Sequence, residues 1–319
     1  MIFSPASYAA AREIVYEHLQ PTLQHNWPLL AAELGCEVWL KHENHTPLGA
    51  FKVRGGLVHM RRRKLAGKTG GVITASTGNH GQSIPNAARL EGIAATVVVP
   101  ENNSAEKNAA MRALGARLIE TGADFDDAAR FARQLAVDEA LDMVPSFHSD
   151  LVEGVATYAE ELFEGAGALD VVYVPIGLGS GICGMMGMRD MLGLKTKVVG
   201  VVAAGANTYA QSYAARAAVP TNAVNTFAEG VAVREPNAEA LAMILAGADR
   251  IVEVSETGIR DAMRLIYRAT HNLAEGAGAV ALAGVMAEKE QLAGRRVGAI
   301  LSGGNIDAGK YAAILTGAS

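Results

Sequence analysis

Apolar residues follow two patterns along the chain, short continuous runs and segments with helical spacing. Short continuous runs are typical of strands buried on both faces, and spacings of three and four residues are typical of helices. Strands are predicted at 37–41, 71–74, 94–100, 116–120, 171–176, 198–203, 251–254 and 296–301. Helices are predicted at 7–18, 29–34, 82–91, 104–114, 124–138, 152–163, 181–192, 257–268 and 278–287.

The order of these elements predicts the fold class. Strands and helices alternate from residue 70 to 138 and again after residue 145, which predicts parallel sheets with right-handed crossovers. We therefore expect an α/β protein of two lobes, each a mostly parallel twisted sheet flanked by helices, with a cleft between them. The expected small domain spans 48–144, and the large domain spans 1–47 and 145–319.

Composition and charge narrow the class of protein. A chain of 319 residues that is 50% hydrophobic can bury a large core, and a net charge of -5 gives no electrostatic reason to bind nucleic acid. The two cysteines, Cys36 and Cys183, lie far apart, as expected of buried thiols in a reducing compartment. No signal peptide and no membrane-spanning apolar run is visible, so a cytoplasmic protein is predicted. The basic run 61–64 is expected to end a helix in water.

The segment 46–56, Thr-Pro-Leu-Gly-Ala-Phe-Lys-Val-Arg-Gly-Gly, places one lysine between a Pro/Gly turn and a glycine pair. These turn residues put Lys52 near the start of the following helix. A lysine aimed inward loses hydration, its pKa falls, and it can form an imine with a carbonyl compound. Most single lysines are surface residues, so other motifs must support this interpretation.

Three further segments end a predicted strand with glycine and hydroxyl residues. In 75–82, Ala-Ser-Thr-Gly-Asn-His-Gly-Gln, the first amides of a helix can bind a carboxylate, although an ordinary capped turn has the same composition. The cluster Gly177, Leu178, Gly179, Ser180 and Gly181 opens a helix after a buried strand, which suits a single phosphate. The dinucleotide and Walker patterns both fail at this cluster. In Leu-Ser-Gly-Gly-Asn, Ser302 lies where open α/β sheets bind ligands, although alone it predicts only a turn.

Two other kinds of site are not indicated. The eight histidines include no pair with the spacing of a helical zinc site, so no metal site is predicted. The Gly-x-Ser-x-Gly motif of hydrolase nucleophiles is missing as well.

Taken together, the four motifs resemble those of the fold type II pyridoxal-phosphate enzymes, which are tryptophan synthase β-like. Within them, the chain resembles the threonine/serine dehydratase and serine racemase branch, over about residues 20–305. The segment 227–233, Phe-Ala-Glu-Gly-Val-Ala-Val, also resembles its counterpart in threonine dehydratases. The resemblance implies a large domain that binds pyridoxal 5'-phosphate.

The resemblance also implies roles for individual residues. Lys52 would hold the cofactor and move the α-proton, and Phe51 would pack beside the ring. Asn79 would contact the 3'-oxygen, Ser302 the ring nitrogen, and Gly177 to Gly181 the phosphate. Donors for the substrate carboxylate would be Ser76, Asn79 and His80. Thr77 stands where family racemases place a serine that acts on the opposite face, and it could serve as that acid although it is bulkier.

Several positions depart from the family pattern. The family's divalent-cation ligands map to Val202, Ala206 and Thr208, which lack two of the needed carboxylates, so no such metal site is expected. The usual Glu-Pro pair is Glu275-Gly276, and a helix that often reads Gly-Gln-Gly-Thr is Gly-Val-Ala-Thr at 154–157. The chain ends soon after Ser302, so the regulatory domain of biosynthetic threonine dehydratases is expected to be absent.

The expected reaction is loss of water and ammonia from a β-hydroxy amino acid, giving a 2-oxo acid. A serine opposite the ring nitrogen leaves the pyridine neutral, which favours β-elimination. Threonine or serine is the first expected substrate, because the Glu229 carboxylate would accept a bond from a β-hydroxyl and repel a second carboxylate. Alternatives are elimination from 3-hydroxyaspartate or phenylserine, amino-acid racemisation, β-replacement, and noncatalytic cofactor binding. A homodimer is expected, with a small amino acid as substrate and no nucleic-acid or membrane partner.

Overall fold

The computed structural model describes residues 2–318. Its helices are α1 Pro5–His18, α2 Pro28–Leu34, α3 Lys52–Leu65, α4 Asn79–Leu90, α5 Ala105–Ala113, α6 Phe125–Asp138, α7 Ser149–Ala166, α8 Ser180–Met191, α9 Thr208–Ala215, α10 Ala238–Gly247, α11 Glu256–Thr270, α12 Gly276–Ala287 and α13 Ala308–Thr316. Its strands are β1 Gln24–Asn26, β2 Glu37–His42, β3 Val72–Ala75, β4 Ala95–Val99, β5 Arg117–Glu120, β6 Asp142–Met143, β7 Val171–Pro175, β8 Lys197–Ala203, β9 Arg250–Val254 and β10 Arg296–Leu301.

The larger sheet has six strands in the order β1-β2-β10-β7-β8-β9. Only β1 runs antiparallel, and the central pairing sets Val297 beside Val38 on one side and Val171 on the other. Helices α2, α11 and α12 bury apolar residues against one face, and α7, α8 and α10 pack in the core on the other. Burial on both faces explains why these strands are nearly uniform runs of Val, Ile, Leu and Ala.

The smaller sheet has four parallel strands in the order β5-β4-β3-β6. Helix α6 packs on one side through Ala128, Ala132 and Ala136, and α3 and α4 belong to the core on the other. Helix α3 packs against both α4 and α7. The expected α/β class, with mostly parallel sheets flanked by helices, is confirmed, whereas the exact domain bounds stay a prediction. Within residues 2–318, no helix is long and apolar enough to cross a membrane.

Element boundaries differ from the predictions mainly at helix starts. Helix α4 begins at Asn79 rather than 82, and α7 extends from Ser149 to Ala166 rather than 152–163. Glycines and polar residues in these first turns weaken the periodic signal, although the backbone is already helical. Five short elements were not predicted: β1, β6, α9, α10 and α13.

The basic run at the end of α3 is more than a solvated cap. Arg61 contacts Glu91 at 2.5 Å and Arg62 contacts Glu153 at 2.7 Å, so this helix end is bound to α4 and α7. Arg63 contacts Asp142 at 2.6 Å, beside the small sheet. The expectation of a simple helix end in water is therefore corrected, because acidic partners from distant segments meet these side chains.

Candidate active site

Lys52 is the first residue of α3. The preceding turn is held by Thr46, whose hydroxyl accepts a 2.9 Å bond from the Ala50 amide, and by the Phe51 amide, which donates to the Ser302 carbonyl at 3.0 Å. Nζ of Lys52 donates to Oγ of Ser180 at 3.3 Å and lies 4.9 Å from the Phe51 ring centroid. Although the residue keeps some solvent contact, burial of its amine lowers the pKa to about 8. A neutral amine is thus accessible near physiological pH.

The glycine cluster joins β7 to α8. A Cβ at Gly177 would lie 2.5 Å from the Gly230 carbonyl oxygen, and Gly179 has a φ of +105°, which a side chain rarely allows. The Leu178 carbonyl accepts a 2.9 Å bond from the Tyr209 hydroxyl, which fixes the loop. At Gly181, a Cβ would lie 3.9 Å from the Phe51 ring. The start of α8 is therefore a narrow anion-binding position next to Lys52, and it fits a phosphate group.

The turn between β3 and α4 contains Ser76, Thr77, Asn79 and His80. The Ser76 hydroxyl accepts the Gly81 amide at 3.0 Å, which leaves its hydrogen free to donate to a ligand. Thr77 is half-buried in the same turn. His80 is buried, and its Nε2 has no partner within the described residues. Burial, and then the nearby Lys52 cation, lower the pKa of His80 to about 3, so its imidazole is neutral.

Asn79 belongs to a polar network that sequence reasoning did not identify. Its Nδ2 donates to Oε1 of Glu275 at 2.6 Å, and its Oδ1 accepts from Nδ2 of Asn305 at 2.8 Å. Burial raises the pKa of Glu275 to about 7, against the lowering influence of Lys107 and Asn79. Asn79 keeps one N–H hydrogen for another acceptor. Only the departure from the Glu-Pro pair had drawn attention to Glu275.

Ser302 directly follows the buried strand β10, and its carbonyl accepts the amide of Phe51, the residue before Lys52. Its hydroxyl donates a long 3.3 Å bond to the Ala277 carbonyl, and its neighbour Gly303 forms an isolated bridge with Ala50. The long bond is easily exchanged for a better acceptor. Lys52, the glycine cluster and Ser302 could therefore hold an aldehyde, a phosphate and a ring nitrogen.

Glu229 is not the free carboxylate that the sequence suggested. It lies 2.5 Å from Nζ of Lys107 and 3.2 Å from Nζ of Lys310, and both lysines help line a cavity of about 330 Å³ with Glu229. Burial raises its pKa, but the two lysines hold the pKa below its ordinary value. Glu275 and Asn305 also line this cavity, which places it beside Asn79. The predicted repulsion of a second substrate carboxylate is therefore balanced by two cations, which were missed because they are distant in sequence.

Comparisons with known proteins agree with this set of groups. The profile of the family described as "Pyridoxal-phosphate dependent enzyme" matches residues 15–303. The chain is 33% identical to L-threo-3-hydroxyaspartate ammonia-lyase of Saccharomyces cerevisiae, over 91% of this chain and 89% of that protein. It is 32% identical to L-threonine ammonia-lyase of Thermotoga maritima, over 88% of this chain and 70% of that protein.

A solved structure shows the same likeness in three dimensions. Threonine deaminase isoform 2 of Solanum lycopersicum superposes with a TM-score of 0.91 at 28% identity, over 98% of this chain and 94% of that one. The chain therefore belongs to the fold type II family of pyridoxal-phosphate dependent enzymes, and its cofactor is pyridoxal 5'-phosphate.

Proposed function

We propose that the protein is an ammonia-lyase that removes water and ammonia from a 3-hydroxy amino acid and releases a 2-oxo acid. The observation that carries this proposal is the Lys52 amine, which lies 3.3 Å from the Ser180 hydroxyl at the start of α8 and has no carboxylate partner within residues 2–318. Ser302 lies at the end of the neighbouring β10. When bound, the cofactor withdraws electrons from the substrate's α-carbon.

Each group of the site has a task in this reaction. Lys52 anchors the cofactor and removes the α-proton, and its lowered pKa suits a base that works near neutral pH. The amides and hydroxyl of Gly177 to Gly181 hold the phosphate, and Phe51 packs beside the ring. Ser76, Thr77, Asn79 and His80 hold the substrate carboxylate through the hydroxyls of the turn and the backbone amides at the start of α4.

Ser302 and Thr77 support elimination over racemisation. The Ser302 hydroxyl can donate to the ring nitrogen but cannot hold it protonated as a carboxylate would, so the electron sink is modest and early loss of the β-leaving group is favoured. Thr77 is bulkier than the serine of the family racemases at the opposite face. Racemase activity, and β-replacement, are therefore secondary possibilities.

Among the possible substrates, 3-hydroxyaspartate is the first candidate. Glu229 can still accept a bond from a β-hydroxyl, while Lys107 and Lys310 offset its charge and can attract a second carboxylate. The likeness to L-threo-3-hydroxyaspartate ammonia-lyase also favours 3-hydroxyaspartate as the substrate. Threonine or serine is the second candidate, because the likeness to L-threonine ammonia-lyase is almost as strong.

Release of 2-oxo acid from threonine, serine, 3-hydroxyaspartate and phenylserine tests both the lyase assignment and the substrate assignment. We expect the largest kcat/KM for 3-hydroxyaspartate. Lys107→Met should lower that kcat/KM at least about 10-fold, because loss of about 1.4 kcal/mol of attraction between the lysine and the second substrate carboxylate corresponds to a factor of ten. The exposed Lys68→Met variant is the control and should leave it unchanged. Preference for threonine would overturn the substrate assignment alone. Failure of every substrate, or conversion of L- to D-serine without 2-oxo acid, would overturn the lyase assignment.

Location and assembly also belong to the proposal. Cys36 and Cys183 are both buried and free, which supports a reducing, cytoplasmic compartment. The domain bounds at 48–144 and the homodimer are part of the same proposal. Light scattering on the eluting holoenzyme tests the homodimer, and a monomer mass would contradict it.

A further inference from the structure

A second group of chemically active side chains lies outside the cofactor site, where α3 meets the start of α7. His59 comes from α3, and His148 and Asp150 come from the cap and first turn of α7. Oδ2 of Asp150 lies 3.0 Å from Nδ1 of His59 and 3.2 Å from Nδ1 of His148. One ligand atom from each of the three residues lies within 4.8 Å of the others.

Two glycines bring these residues together. A Cβ at Gly55 would lie 2.8 Å from the Leu151 carbonyl oxygen, and a Cβ at Gly154 would lie 2.4 Å from the Arg54 carbonyl oxygen. The two helix backbones therefore touch at this point. His59 lies one turn after Gly55 on α3, and Asp150 lies one turn before Gly154 on α7. The close approach of the two helices therefore brings these two side chains together. The arrangement is a consequence of the helix crossing and is not visible in the histidine spacing.

The separations match those of a metal-ligand set. Two ligands that each lie about 2.0–2.1 Å from a tetrahedral zinc ion are about 3.3–3.4 Å apart. The 3.0 and 3.2 Å that separate Oδ2 of Asp150 from the two imidazole nitrogens are close to that value, and all three ligand atoms lie within 4.8 Å of one another. Two imidazoles and one carboxylate are also a common protein donor set for Zn²⁺ and related divalent metals.

We propose that His59, His148 and Asp150 form a binding site for a zinc-type divalent transition-metal ion that braces α3 against the start of α7. Water completes the coordination. The ion replaces the 3.0 Å hydrogen bond between Nδ1 of His59 and Oδ2 of Asp150, and the 3.1 Å bond that the Asp150 amide donates to Nδ1 of His148. Because the ion binds two elements that meet only in the folded state, it stabilises that state.

Neighbouring groups orient the carboxylate and balance the charge. Nη1 of Arg62 donates to Oδ1 of Asp150 at 2.8 Å, which fixes the carboxylate with Oδ2 toward the imidazoles. The other end of that guanidinium is paired with Glu153 at 2.7 Å, so its positive charge is shared. The side chain of His148 is 43% exposed, which leaves a path for an ion from solvent.

Metal binding by the holoenzyme tests the site. Tag-free holoenzyme, stripped with a chelator and exchanged into clean buffer, is dialysed against ZnCl₂, and bound zinc is counted by mass spectrometry. We expect one zinc per chain and a higher melting temperature with zinc than without it. His59→Gln and His148→Gln should each weaken binding at least about 10-fold, the low end of the effect seen on perturbing metal sites. The control His18→Gln changes an exposed histidine on α1 and should bind zinc like the parent.

The outcomes separate this site from the cofactor site. Loss of zinc in both histidine variants, with cofactor absorbance unchanged, supports the proposal. Absence of stoichiometric zinc at millimolar ZnCl₂ overturns it, and so does equal binding by the parent and both variants. His59 and His148 are not among the groups assigned to the reaction, so the zinc measurement leaves the lyase proposal untested and the two proposals can fail separately.

Discussion

Two basic residues at the start of α3 differ in their surroundings although only one residue separates them. Nζ of Lys52 has only the Ser180 hydroxyl as partner among the described side chains. Arg54 is fully buried and contacts Glu43 at 2.7 Å and Glu161 at 2.6 Å. Lys41 adds a second cation at 2.5 Å from Glu161. One helix turn thus presents an unpaired amine to the cleft and a paired guanidinium to the interior.

The difference shows how burial acts on a charge with and without a partner. Burial lowers the pKa of the Lys52 amine to about 8. Burial alone would also lower the pKa of Arg54, but Glu43 and Glu161 hold it above the ordinary value. The paired cation stays charged and fixes the helix, whereas the unpaired one can lose its proton and react. In the proposed mechanism, chemistry and rigidity are therefore supplied by positions two residues apart on the same helix.

Removing the unpaired amine should have the largest effect. We expect Lys52→Ala to lower kcat by at least about 10²–10⁴-fold, which is the contribution of general acid–base catalysis alone, because the variant lacks both the proposed cofactor anchor and the proposed base. Urea unfolding of the cofactor-free variant checks that it still folds. Lys64→Ala, on the solvent side of α3, is the matched control for activity. Near-normal turnover by Lys52→Ala would assign the chemistry to another lysine.

Removing the paired cation, Arg54, should mainly lower the stability of the fold. Arg54→Met leaves Glu43 and Glu161 with too little compensating charge, and we expect a loss of about 3–5 kcal/mol in the free energy of unfolding. The comparison is Arg12→Met, which breaks an exposed pair with Glu160 and should cost less than about 1 kcal/mol. Urea unfolding of both variants gives the two values. Equal losses would mean that the buried network around Arg54 is no more sensitive to removal of its cation than the exposed pair of Arg12 is.

The smallest effect is a pH dependence of stability. In the folded, cofactor-free protein Lys52 has a pKa of about 8, against 10.5 for the ordinary lysine. Between these values the unfolded chain binds more protons, so the free energy of unfolding rises with pH, by at most about 1.4 kcal/mol per unit. Below about pH 8 both states are protonated, and this contribution is flat. In urea unfolding from pH 7.5 to 10, the free energy of unfolding of the parent should rise with pH relative to that of Lys52→Met, and Lys68→Met should follow the parent.

Much of the fold could be predicted from the sequence because buried parallel strands have a distinctive composition. The strand Arg296–Leu301 has the predicted bounds, and Val171–Pro175 ends within one residue of its prediction. Short elements were missed where the local pattern is weak, as in the two-residue strand Asp142–Met143. That strand exists because it pairs with β3, which local composition cannot reveal.

The sequence by itself determined the family, the cofactor and the motifs around Lys52, because each motif is a continuous segment with its own turn chemistry. Only the tertiary structure decided which distant side chains share a space. It paired Glu229 with Lys107 and Lys310, and so changed the expected preference among substrates. It also placed Glu275 against Asn79. Electrostatic contacts act over a few ångströms whatever the distance along the chain, so residues more than a hundred positions apart set the charge of one pocket.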